Sequence, residues 1–159
     1  MVLKLRVLIA YLSYSGNTKE VAELLRDAFL SNGASVELHR IGIDPPADPG
    51  EYDSFLLGTF TWEMGSIPEE VKEFVLEIGY KPDNIAVFGT GDTQFGGDDL
   101  YCRAVDRLVR FYGSRWDGLK IEQSPRGKQE EKVIAWAEGV MNDAKNTRTG
   151  ENTGAGTPE

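Results

Sequence analysis

Apolar residues along this chain come in two rhythms. Short, nearly unbroken runs lie at Leu5 to Leu12, Ser35 to Ile41, Ser54 to Phe60, Asn84 to Gly89 and Leu119 to Glu122. That is the pattern of strands covered on both faces, as parallel strands are. Between most of them, apolar residues recur at helical spacing instead. Val21, Ala22, Leu24, Leu25, Ala28 and Phe29 form one stripe, which Asn32-Gly33 ends. Pro68 opens a second helix carrying Val71, Phe74, Val75 and Ile78, with Glu69 and Glu70 complementing the helix dipole in its first turn. A third helix is predicted from about Leu100 to Tyr112, and a last one from about Gln129 to Ala144 around Val133, Ile134, Trp136, Ala137 and Val140. Between Gly42 and Glu51, the prolines 45, 46 and 49 replace a helix or shorten it. Strands alternating with helices predict an α/β fold with a doubly wound, five-stranded parallel sheet. The order 2-1-3-4-5 fits, and such sheets bind ligands at the carboxyl ends of their strands.

Length and composition narrow this picture. A chain of 159 residues suits one well-buried domain, assigned to residues 1–145. Residues 146–159 are polar, rich in Gly and Thr, and predicted to be a disordered tail. Seventeen basic against 26 acidic residues give a net charge of −9, which argues against nucleic acid and anionic membranes and for basic protein surfaces as partners. The lone cysteine, Cys102, excludes an internal disulfide and a Cys-rich metal site. The first apolar run, interrupted by Lys4 and Arg6, is too short for a signal core or a membrane span, so a cytoplasmic location is expected. The lone histidine, His39, lies in the alternating segment Val36, Glu37, Leu38, His39 and is expected at a solvated strand position. No His-based triad or zinc site can be assembled, and neither catalytic residues nor metal ligands are assigned.

The chemistry concentrates in Ser13-Tyr14-Ser15-Gly16-Asn17-Thr18, between the first strand and the first helix. Gly16 permits a turn that other residues resist. The unpaired first amides of the helix and its positive dipole end favour an anion, with hydroxyls and Asn17 as neutral donors. The nucleotide-triphosphatase pattern G-x-x-x-x-G-K-[ST] is absent, and so is G-x-G-x-x-G. A terminal phosphate monoester entering end-on suits the loop. The hexapeptide alone is equally compatible with an ordinary turn in which Ser and Asn cap the helix.

The same hexapeptide resembles the phosphate loop of the flavodoxins, which hold flavin mononucleotide (FMN) with [ST]-x-[ST]-G-N-T. Flavodoxin is itself a standard example of the 2-1-3-4-5 order, with FMN at the switch between strands 1 and 3. Two further loops carry the resemblance: Gly58-Thr59-Phe60-Thr61-Trp62-Glu63-Met64-Gly65 after strand 3, and Gly89-Thr90-Gly91-Asp92-Thr93-Gln94-Phe95 after strand 4. The first matches the family's G-x-x-T-W, which implies that Trp62 covers the dimethylbenzene side of the flavin. The second matches G-x-G-D followed by an aromatic on the opposite face, either Phe95 or, because Gly96-Gly97-Asp98-Asp99 lengthens the loop, Tyr101. Cys102 resembles a position near the pyrimidine ring and is read as packing. The resemblance spans about Lys4 to Val140. With no long insertion between Leu119 and Pro125, it is to the short-chain form.

What the resemblance implies is a low-potential one-electron carrier, not an enzyme, that passes electrons from a flavodoxin reductase to acceptor redox proteins. Glu63, Asp92, Asp98 and Asp99 would lower the potential of the second reduction, and acidic residues around the flavin edge would steer basic partners into a transient interface; a monomer is expected. One departure is Glu63, where many relatives have a glycine whose carbonyl swings toward flavin N5. Two flavin alternatives remain: a flavodoxin-like activator of a manganese ribonucleotide reductase, and a small FMN-dependent quinone reductase. A receiver domain would need carboxylates after strand 1 and an aspartate after strand 3, where this chain has Leu12-Ser13 and Gly58-Thr59.

Overall fold

The computed structural model describes residues 4–45, 47–61, 65–91 and 102–153, with side chains as far as Asn146. The elements are β1 (Arg6–Tyr11), α1 (Asn17–Ser31), β2 (Ser35–Arg40), a 3-10 turn (Pro49–Glu51), β3 (Ser54–Phe60), α2 (Glu69–Ile78), β4 (Ile85–Gly91), α3 (Arg103–Tyr112), β5 (Leu119–Glu122) and α4 (Lys128–Thr153). The five strands form one sheet in the order β2-β1-β3-β4-β5, every neighbouring pair parallel.

The unbroken apolar runs mark strands covered twice. Because successive side chains leave a strand on opposite faces, Val7, Ile9, Leu56, Ala86, Phe88 and Ile121 pack against the stripes of α1 and α4. Leu8, Ala10, Phe55, Leu57, Ile85 and Val87 pack against Val71 and Phe74 of α2 and Val105, Leu108 and Tyr112 of α3. Two strand glycines make room for this packing. A Cβ on Gly58 would lie 2.2 Å from the Phe88 ring, and one on Gly89 would lie 2.4 Å from Val105 and 2.5 Å from the Thr59 carbonyl oxygen.

Two expectations change. His39 is buried, not solvated: its ring lies 5.4 Å from Phe74, because α2 covers that face of β2. Burial pulls its pKa below 6.5, outweighing the nearby carboxylates of Asp44, Glu37 and Glu77. Among the described residues the third helix runs from Arg103, after Cys102 with φ +50, while Leu100, near its expected start, lies outside them. The last helix continues to Thr153, past residue 145 where the domain was expected to end. Once a helix is nucleated, each added residue gains a hydrogen bond, so a polar segment can prolong it without an apolar stripe of its own.

Candidate cofactor site

The carboxyl ends of β1, β3 and β4 adjoin in the sheet, so the segments that follow them emerge together. After β1 the chain turns at Gly16, whose φ of +97 precedes the first residue of α1. The Gly16 amide donates to Ser13 Oγ at 3.1 Å, closing the turn. The first intrahelical bond runs from Glu20 N to Gly16 O at 3.0 Å, which leaves the amides of Asn17, Thr18 and Lys19 ahead of it. A Cβ on Gly16 would meet nothing within 4 Å, so glycine is required here by the backbone angle and not by space. These amides at a helix start, with Ser15 exposed and Asn17 half-buried beside them, are a donor set without a formal positive charge. That set fits a phosphate wrapped end-on.

Side chains tie the three loops to one another. Thr18 is buried, and its Oγ1 lies 2.8 Å from Oγ1 of buried Thr90 on β4. Tyr14, 58 % exposed, sets its ring 4.8 Å from that of Phe60 and donates its hydroxyl to the Glu70 carboxylate at the start of α2. The bond to Glu70 raises the Tyr14 pKa above 10.0. Thr59 is buried and donates to the Phe60 carbonyl at 2.8 Å. Thr61 Oγ1 accepts from the Ala104 amide at 3.1 Å, joining the β3 loop to the start of α3. Cys102 is buried, with Sγ 3.9 Å from the Gly89 carbonyl oxygen, consistent with packing. The Gly91 carbonyl accepts from Gln123 N at 2.7 Å, and Gly65 turns at φ +79.

The structure thus brings together Ser13, Tyr14, Ser15, Gly16, Asn17, Thr18, Thr59, Phe60, Thr61, Thr90, Gly91 and Cys102 at the carboxyl end of the sheet. Trp62, Glu63, Met64, Asp92, Phe95 and Tyr101 lie outside the described residues. Sequence reasoning missed the ties. Glu70 carries a helix-dipole signal but nothing that points to Tyr14, and no local pattern links Thr18 to Thr90 across 72 positions.

The Flavodoxin family model matches residues 9–136. The chain belongs to the flavodoxin family. Over 138 residues it is 33 % identical to "Probable flavodoxin 2" of Bacillus subtilis (strain 168), covering 81 % of this chain and 89 % of that one. It is 31 % identical over 145 residues to the flavodoxin of Maridesulfovibrio salexigens, covering 84 % of this chain and 94 % of that one. The crystal structure of oxidised flavodoxin 2 from Bacillus cereus superimposes with a TM-score of 0.73 at 31 % identity, covering 87 % of this chain and 99 % of that one. As a flavodoxin the chain is, in general terms, a flavin-binding electron carrier. Among the described residues no helix is long and apolar enough to cross a membrane.

Proposed function

We propose that this flavodoxin holds one FMN non-covalently and acts as a low-potential one-electron carrier between a reductase and acceptor redox proteins. The observation that carries this reading is the Gly16 turn, which sets the unpaired amides of Asn17 to Lys19 beside the loops of β3 and β4. FMN, when bound, supplies one-electron redox chemistry, and the protein needs no nucleophile or general acid of its own. The amides at the start of α1 bind the phosphate. Trp62 on one side and Phe95 or Tyr101 on the other exclude water from the ring, as the resemblance implies. The Thr18–Thr90 and Thr61–Ala104 bonds tie the start of α1 to β4 and the residue after β3 to the start of α3, which lowers the ordering cost of holding a ligand between these segments. The net charge of −9 steers basic partners into brief encounters, and a cytoplasmic setting suits such exchange.

The test is an absorbance spectrum and a reductive titration of the purified protein, followed by titration of apoprotein with FMN, FAD and riboflavin. A yellow protein that releases FMN, prefers it over the other two and reduces in two separate one-electron steps supports the reading. Equal affinity for FAD and FMN overturns the phosphate assignment. Reduction in one two-electron step, or steady turnover with a nicotinamide cofactor, overturns the carrier role.

A further inference from the structure

Away from the cofactor loops, α2 and α3 lie side by side on one face of the sheet. Both are crossovers between adjacent parallel strands, β3 to β4 and β4 to β5, so handedness places them on the same side with parallel axes. Val71 and Phe74 of one share a buried cluster with Val105, Leu108 and Tyr112 of the other. Their outer faces carry opposite charge at matched spacing. Each helix has 10 residues. Glu69 and Glu73 occupy the first and fifth positions of α2, where α3 has Arg103 and Arg107. Leu76 and Glu77 are the eighth and ninth residues of α2, the positions that Arg110 and Phe111 hold in α3. Leu76 is 78 % and Phe111 47 % exposed. Among the described residues, none of the three glutamates and three arginines has an ion pair within the chain. Lys72 interrupts the acidic stripe, and Asp106, held by Lys120 at 2.8 Å, interrupts the basic one.

We propose that this face pairs with the same face of a second copy of the chain, α2 of each lying on α3 of the other. A two-fold axis parallel to the helices produces that arrangement, because rotation about it exchanges left and right while keeping each residue at its height. Glu69 then meets Arg103 and Glu73 meets Arg107. One step further along, Glu77 reaches Arg110 diagonally while Leu76 comes beside Phe111, whose ring already carries Lys81 Nζ 4.4 Å from its centroid. Both partners of the match belong to this chain at the same spacing, which selects a second copy over an unrelated acidic protein. The same axis points both cofactor edges in one direction and leaves them open. Exposed ion pairs are individually weak, and a charge of −9 on each copy opposes contact, so the pair is weak and concentration-dependent. This replaces the expected strict monomer with a monomer in exchange with a dimer.

The test is sedimentation velocity of the full, flavin-loaded chain over a concentration series. The wild type gains mass toward two copies as concentration rises. A variant with Arg103→Glu, Arg107→Glu and Arg110→Glu stays monomeric, and so does one with Glu69→Arg, Glu73→Arg and Glu77→Arg, although the latter carries less net negative charge. An equal mixture of the two variants regains the dimer, because each restores the other's contacts. Should a reversal variant lose its far-ultraviolet circular dichroism, glutamine at the same positions takes its place and also weakens the wild-type association. A wild type that remains monomeric throughout, variants that associate as it does, or a mixture that stays monomeric would each overturn the proposal.

Discussion

Gly16→Ala isolates the backbone of the phosphate turn from everything else at the site. The φ of +97 lies where residues with a Cβ are strained, and a Cβ added there meets no atom within 4 Å. The cost is therefore purely conformational, about 1 to 2 kcal/mol for a side chain in the left-handed region. Where that energy appears depends on the loop without ligand. If the turn keeps its shape in apoprotein, alanine destabilises apo and holo forms equally and leaves the FMN affinity alone. If the turn relaxes, alanine costs apoprotein little and weakens FMN by roughly 5- to 30-fold, the same energy read at about 1.4 kcal/mol per factor of ten. In both cases holoprotein loses the full amount, roughly 2 to 8 °C of melting temperature for a domain of this size. The Thr18–Thr90 bond, which anchors the first turn of α1 to β4, favours the first case. The assay is thermal melting with and without FMN, alongside a flavin fluorescence titration of apoprotein. Gly113→Ala, at φ +62 in the C-cap of α3 and also free of close atoms, is the control that lowers stability without touching affinity. Gly16→Asn should recover part of the loss, since asparagine tolerates this region better than alanine. A holoprotein of Gly16→Ala that melts and binds as wild type would refute the strain argument.

Three other outcomes follow from the same geometry. Gly89→Ala forces a Cβ to 2.5 Å from the Thr59 carbonyl oxygen and 2.4 Å from Val105, and should cost about 1 to 3 kcal/mol in urea unfolding; pairing it with Val105→Ala should not restore stability, because the backbone contact remains. His39, with its folded pKa held below 6.5 by burial, binds fewer protons folded than unfolded; stability should be complete above about pH 6.5 and fall as pH drops toward the folded value, and His39→Leu should flatten that part of the profile in pH-dependent melting. Asn17→Asp sets a carboxylate beside the amides of the α1 start, so titration of apoprotein should show FMN weakened far more than riboflavin, with equal losses refuting the phosphate placement.

The sheet was legible because buried parallel strands leave a local signature. Ser54–Phe60 and Leu119–Glu122 have the bounds their apolar runs predict, and β4 runs two residues beyond Gly89 to Gly91, where polar Thr90 is buried by its bond to Thr18. His39 was misread because alternation along β2 shows which residues share a face but not what covers that face. Among the described residues of 42–51 the regular element is a 3-10 turn, Pro49–Glu51, and it is Phe74 of α2 that lies against the imidazole. That is a property of the neighbouring connection and not of β2.

The site divides along the same physical line. Gly16 was readable because a positive φ narrows the choice to one residue type, and the turn it makes is local. The bonds that fix the site's width are not local. Thr18 reaches Thr90 and Thr61 reaches the Ala104 amide, joining segments 72 and 43 residues apart through hydroxyls whose residue type is common everywhere in the chain. Before folding, each hydroxyl is as well satisfied by water. Their partners are set by sheet register, in which Gly58 to Phe60 lie beside Phe88 to Thr90. The proposed phosphate end of the site is thus written in one hexapeptide, whereas its separation from the other two loops is written in the order of the strands. It follows that a substitution which shifts β4 against β3 disturbs the flavin slot without altering any residue that touches the ligand.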